Sequence, residues 1–100
     1  KPEILILDEP IANLDYKSKF FVFDKINEIS KLNTKIFCVT HDISTITKIY
    51  DRVIMIKDGK IIADGPQNKI INSGNLNKLY GIDVEVTKNN GLWHINRLIK

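Results

Sequence analysis

Two adjacent carboxylates, Asp8 and Glu9, follow the apolar run Ile4-Leu5-Ile6-Leu7, and Pro10 stops the chain directly after them. A run of branched apolar residues without polar alternation reads as a central strand of a parallel sheet, covered on both faces. Open α/β sheets bind ligands at the carboxyl ends of such strands. One acid placed there can hold a magnesium ion, directly or through its water, while the second orients and deprotonates an attacking water. The pair therefore suits hydrolysis of a nucleoside triphosphate. His41 is the next candidate, at the end of the following apolar strand, Ile36 to Val39, with Asp42 beside it. Each feature also has an ordinary reading. An Asp-Glu pair after a strand is a common way to begin a turn, His41 can be a polar strand end next to an Asp42 N-cap, and Asp15 can cap a helix that begins near Tyr16.

The elements that must position these groups alternate as α and β. From Tyr16 to about Lys31, Val22, Phe23, Ile26 and Ile29 follow helical spacing, with Lys19, Asp24, Lys25 and Glu28 free to face water. Phe20, Phe21 and Phe23 read as core or interface packing. Asn33-Thr34 makes a turn, a strand runs from Lys35 to Thr40, and Ile43, Ile46 and Ile49 define a short helix capped by Asp42. Asp58-Gly59 is the strongest hairpin signal, because both central turn positions need positive φ; it joins Arg52 to Lys57 with Lys60 to Ala63. Short helices are expected over Gln67 to Ile71 and Asn75 to Leu79, broken at Ser73-Gly74. A last hairpin joins Asp83 to Thr87 and Leu92 to Ile95 around Asn89-Asn90-Gly91, with Trp93 in packing and His94 at the surface.

Three segments in order narrow the reading. Ile4-Leu5-Ile6-Leu7-Asp8-Glu9-Pro10 resembles the Walker B motif of ATP-binding-cassette (ABC) ATPases, and Ile11-Ala12-Asn13-Leu14-Asp15 is similar to the D-loop that follows it. Cys38-Val39-Thr40-His41-Asp42 resembles the switch-histidine loop of that family. The resemblance extends through Asp51 to Ile61 and Ala63-Asp64-Gly65-Pro66. It implies ATP and Mg2+ as cofactors, with Asp8 ordering the magnesium shell through water and Glu9 acting as general base. It further implies that His41 contacts the terminal phosphate and steadies the water and Glu9, and that Asp15 acts across a dimer interface. One position departs from the pattern: the residue after Pro10 is usually a small hydroxyl residue, and here it is Ile11.

No segment fits G-x-x-x-x-G-K-[ST], so the backbone amides and lysine that cradle phosphates are missing from these 100 residues. The expectation is an α/β chain over 1–100 that forms the C-terminal part of one ABC ATPase domain, a P-loop NTPase of three layers, with a mostly parallel sheet and C-terminal β-hairpins. Walker A, the glutamine loop and the signature motif would lie upstream. Such a fragment is expected to be inactive alone and to expose sheet edges and apolar faces. The stretch Leu76 to Val86 resembles the tail of ATPases serving iron-chelate (siderophore), haem and cobalamin importers. That implies a membrane permease and a second ATPase subunit, a homodimer, as partners, at the cytoplasmic side of the cell membrane. The alternatives are a soluble ABC ATPase of DNA repair or iron-sulfur assembly, and a nonenzymatic truncated fragment.

Composition bounds these readings. Net charge is +3 with the basic residues dispersed, so nucleic acid is not implied as a partner. The single cysteine, Cys38, excludes a disulfide framework and reads as a small buried hydrophobe in a reducing compartment. No apolar run approaches the roughly 18 residues needed to span a bilayer. With 43% hydrophobic residues, a core is supported.

Overall fold

The computed structural model describes residues 3–97, which divide into two compact units, one ending at Thr45 and the other beginning at Ile46. In the first, β1 (Glu3–Asp8) and β2 (Thr34–Val39) pair in parallel, and α1 (Tyr16–Ser30) connects them. The register sets Leu5 opposite Ile36 and Leu7 opposite Cys38, and this half-buried face is the one the chain covers. α1 packs on β2 and buries Ile26. The other face carries Ile4, Ile6, Phe37 and Val39, each more than half exposed. β1 is thus not covered on both faces among the described residues, although its composition suits it to be. Phe20 and Phe21 are also exposed, while Phe23 is half-buried.

The second unit holds β3 (Arg52–Lys57), β4 (Lys60–Pro66), α2 (Gln67–Ile70), α3 (Ser73–Tyr80), β5 (Val84–Asn89) and β6 (Leu92–Arg97). Both strand pairs are antiparallel hairpins. Asp58 and Gly59 have φ of 52° and 74°, and Asn90 and Gly91 have 54° and 78°, as two-residue turns that match strand twist require. β4 continues past Ala63 to Pro66, with a bulge at the Met55/Ile56 register shift. Val53, Met55, Ile71, Leu76, Val84 and Trp93 form the buried core. Gln67 ties it together: its Nε2 donates to the carbonyls of Thr47 and Tyr50, and its Oε1 accepts from Trp93 Nε1 at 2.9 Å. His94 is exposed, as expected.

The expected mostly parallel sheet is met in part: β1 with β2 is the single parallel pair among the described residues, and the other two pairs are the expected C-terminal hairpins. Two expectations need correction. No helix spans Ile43 to Ile49; a 3₁₀ turn at Ile43–Thr45 replaces it. Five of those seven residues are β-branched, which restricts χ1, and the Thr45 hydroxyl bonds back to the Asp42 carbonyl at 2.8 Å. The break between α2 and α3 falls at Ile71-Asn72, not Ser73-Gly74, because Asn72 is an N-cap whose Oδ1 accepts from Asn75 N at 2.8 Å. α3 ends where the sequence places its stop, at Gly81 in the left-handed conformation, φ 71°.

Candidate functional site

Parallel pairing of β1 and β2 brings their carboxyl ends side by side, with Asp8 opposite Val39 in register. Glu9 follows with φ of 49°, a left-handed backbone that residues with a Cβ seldom adopt, and its N–H donates to the Val39 carbonyl at 2.8 Å. The chain turns here instead of continuing the strand. Further turns run from Glu9 to Leu14, with Ile11 buried and Asn13, a residue that tolerates positive φ, at 65°. The site residue thus sits on an unusual backbone, held in place by β2 on one side and a buried Ile11 two residues on.

Glu9 and His41, 32 residues apart in sequence, are in direct contact. Glu9 Oε1 accepts from the His41 backbone N–H at 2.8 Å and lies 2.5 Å from His41 Nδ1. An ionised carboxylate only accepts, so Nδ1 carries the proton in this contact. Contact with the ring holds the Glu9 carboxyl below the usual carboxylate range; the His41 N–H, its charge and the Thr40 hydroxyl act in the same direction, and partial burial opposes them. At neutral pH Glu9 is ionised, the state a proton acceptor needs. The His41 side chain itself is 93% exposed, so the ring stands at the surface where a ligand can reach it.

Asp8 is exposed at the end of β1, and strand alternation puts it on the face of Ile4 and Ile6. Among the described residues no cluster of three or more His, Cys, Asp or Glu side chains forms. A single exposed carboxylate is compatible with Mg2+, which keeps several waters and is held by one or two carboxylates together with substrate phosphates.

Asp15 lies away from this pair in function, as the N-cap of α1. Its Oδ1 accepts from Ser18 N at 2.8 Å, and this bond, chiefly through the Ser18 backbone N–H, holds its carboxyl below the usual range. A lowered value means the cap stabilises the helix above the unfolded carboxyl's range and is lost as pH falls through the folded one. Circular dichroism should therefore show α1 losing helicity on acidification. Asp15→Asn, which caps without titrating, should remove that part of the acid response.

Two residues of the site escape the sequence reading. The Thr40 hydroxyl lies 3.3 Å from Glu9 Oε2, and Thr45, 8% exposed, lies 3.2 Å behind it. The signal was a hydroxyl residue directly before His41 and a second one five positions on. Neither spacing points to a carboxylate more than thirty residues upstream.

No protein-family model matches the chain. An ABC transporter ATP-binding protein of Methanocaldococcus jannaschii is 39% identical over 93 residues, covering 92% of this chain and 36% of that protein. An energy-coupling factor transporter ATP-binding protein of Pediococcus pentosaceus is 38% identical, over 83% of this chain and 30% of its own length. A hemin import ATP-binding protein of Bordetella avium is 28% identical, over 86% of this chain and 33% of its own. The chain spans about a third of the length of these curated relatives. Its fold is shared with a metal-chelate type ABC transporter solved in an inward-facing conformation, at a TM-score of 0.76 and 20% identity, over 98% of this chain and 41% of the other.

Proposed function

The chain belongs to the ABC transporter ATP-binding proteins, and we propose that the intact subunit containing it hydrolyses ATP to drive import through a membrane permease. The observation that carries the chemistry is the ionised Glu9 carboxylate, set on a left-handed backbone at the strand mouth and braced by His41. Glu9 accepts the proton of the attacking water. His41 orients Glu9 through Nδ1, and its exposed ring would contact the terminal phosphate. Asp8 would hold Mg2+ through water, and the ion would supply charge neutralisation at the phosphates. Asp15 meets the partner ATPase subunit of a homodimer while capping α1. The subunit is peripheral, on the cytoplasmic face of the membrane; no helix among the described residues is long and apolar enough to cross one.

The transported solute in this reading is an iron chelate, haem or cobalamin. The tail from Leu76 to Val86 supports it, as do the hemin importer relative and the metal-chelate transporter fold. The 38% identity to an energy-coupling factor ATPase favours a second reading, in which the subunit energises a transporter of that kind. Nothing in the site touches solute, so transport itself is the test. Deleting the whole gene and measuring uptake of labelled iron chelate, haem and cobalamin in parallel should abolish one of the three. Unchanged uptake of all three in a strain without a redundant importer removes this solute class and leaves the second reading.

A further inference from the structure

The hydrogen-bond network behind Glu9 offers the Thr40 and Thr45 hydroxyls more acceptor contacts than they have protons, and counting the protons decides its direction. Thr40 Oγ1 has two acceptors within reach at 3.3 Å, Glu9 Oε2 and the Asp42 carbonyl. It carries one proton. The Asp42 carbonyl already accepts twice from Thr45, from the hydroxyl at 2.8 Å and from the backbone N–H at 3.2 Å. Its two lone pairs are therefore used, and the Thr45 proton is committed there over the longer 3.2 Å contact to Thr40. Thr40 Oγ1 in turn accepts from Asp42 N at 3.1 Å. The remaining choice for the Thr40 proton is the charged oxygen of Glu9, where the bond is charge-assisted and strengthened by the amide behind it.

The two carboxylate oxygens then differ. Oε1 takes both His41 donors, the backbone N–H and Nδ1, and is saturated. Oε2 takes Thr40 alone and keeps a lone pair. We propose that Thr40 is a positioning residue for ATP hydrolysis: its hydroxyl, aimed by Thr45 and Asp42, fixes Glu9 so that Oε2 is the oxygen that receives the water's proton. In that step the water oxygen forms a bond to the terminal phosphorus. The bond from that phosphorus to the bridging oxygen breaks with its electron pair staying on the leaving diphosphate, and the water's proton passes to Oε2. The inference rests on Glu9 being the general base.

The test uses the intact subunit, with steady-state and single-turnover ATP hydrolysis. Thr40→Val, which keeps shape and removes the donor, should lower kcat about tenfold or more with KM for ATP unchanged, the loss expected from removing a hydrogen bond to a charged group. Thr40→Ser should restore the rate. In a Glu9→Gln background, Thr40→Val should cause no further loss, because both act on one group. Thr45→Val is the second probe: it keeps Thr40 but opens the Asp42 carbonyl to it, drawing the proton from Oε2 and lowering kcat in the same direction. Wild-type kcat in Thr40→Val, a loss confined to KM, or an equal loss in the Glu9→Gln background overturns the positioning role. Should Thr40→Val not fold, unchanged kcat in Thr45→Val overturns it. Near-normal turnover by Glu9→Gln alone instead overturns the assignment of Glu9 as base, a separate failure.

Discussion

Glu9→Gln in the intact subunit is expected to slow ATP hydrolysis by ~10²–10⁴-fold, the loss associated with removing a general base, while ATP still binds. The amide nearly matches the carboxylate in size. It can still accept at one oxygen from the His41 N–H, so the loop after β2 keeps its anchor at the end of β1. What it lacks is an atom that can take the water's proton: with the amide oxygen at the Oε1 position serving both His41 donors, the NH₂ group takes the place of Oε2 and cannot accept from Thr40. The ATP-bound form should therefore accumulate, read as retained nucleotide in a spin-column or filter assay beside the lost phosphate release. Near-normal turnover would make His41 the leading candidate for the base.

The contact of Glu9 with His41 was implied in the sequence only by the resemblance to the switch-histidine loop; that each follows an apolar run is consistent with it, since two such runs joined by one helix make a parallel pair whose ends meet. Periodicity places strand ends, and strand ends place the site. The positive φ of Glu9 was not legible, since Glu gives no local signal for it; β2 and the buried Ile11 impose it. Ile11 stands where the resembled motif has a small hydroxyl residue, and its burial gives that departure a packing role. The roles of Thr40 and Thr45 depend on which single proton goes where, and that requires distances. Asp15 shows the reverse: its cap is plain in the sequence and in the structure, whereas a role at a dimer interface depends on a partner subunit.

Turn chemistry read as well as it did because Asp58-Gly59 and Asn90-Gly91 each set two positive φ angles locally. Helix reading failed over Ile43 to Ile49, where an apolar period of three was outweighed by β-branching and by Asp42, Ser44 and Thr45 satisfying one another locally. The two faces of β1 tell the same story in another form. Alternating exposure appears in a strand whose sequence does not alternate, because the described residues supply a helix to one face only.

Leu76→Ala should give the largest structural effect in the second unit. Leu76 is 0% exposed, and α3 packs there against β3, β4 and β5. Removing a fully buried leucine side chain costs about 2–5 kcal/mol, part transfer and part cavity, and the upper end applies where neighbours cannot close in. Here they are restrained. Asn77 Oδ1 accepts from Val84 N at 2.8 Å and Ser73 Oγ from Val86 N at 3.1 Å, so α3 is bonded to β5 one residue to one side of Leu76 and three to the other. Lys57 Nζ reaches the Lys78 carbonyl, and the left-handed Gly81 fixes the helix end. A helix held at both ends cannot slide to fill the space, and a unit this small has few kcal/mol to lose. Hydrogen exchange of the intact subunit, followed by peptide over 73–89, should show protection falling by roughly 30-fold to several thousand-fold, the same free energy expressed as an opening equilibrium. Because Glu9, His41 and Thr40 all lie in the first unit, their peptides should keep their protection; equal loss there would mean that the two units open together.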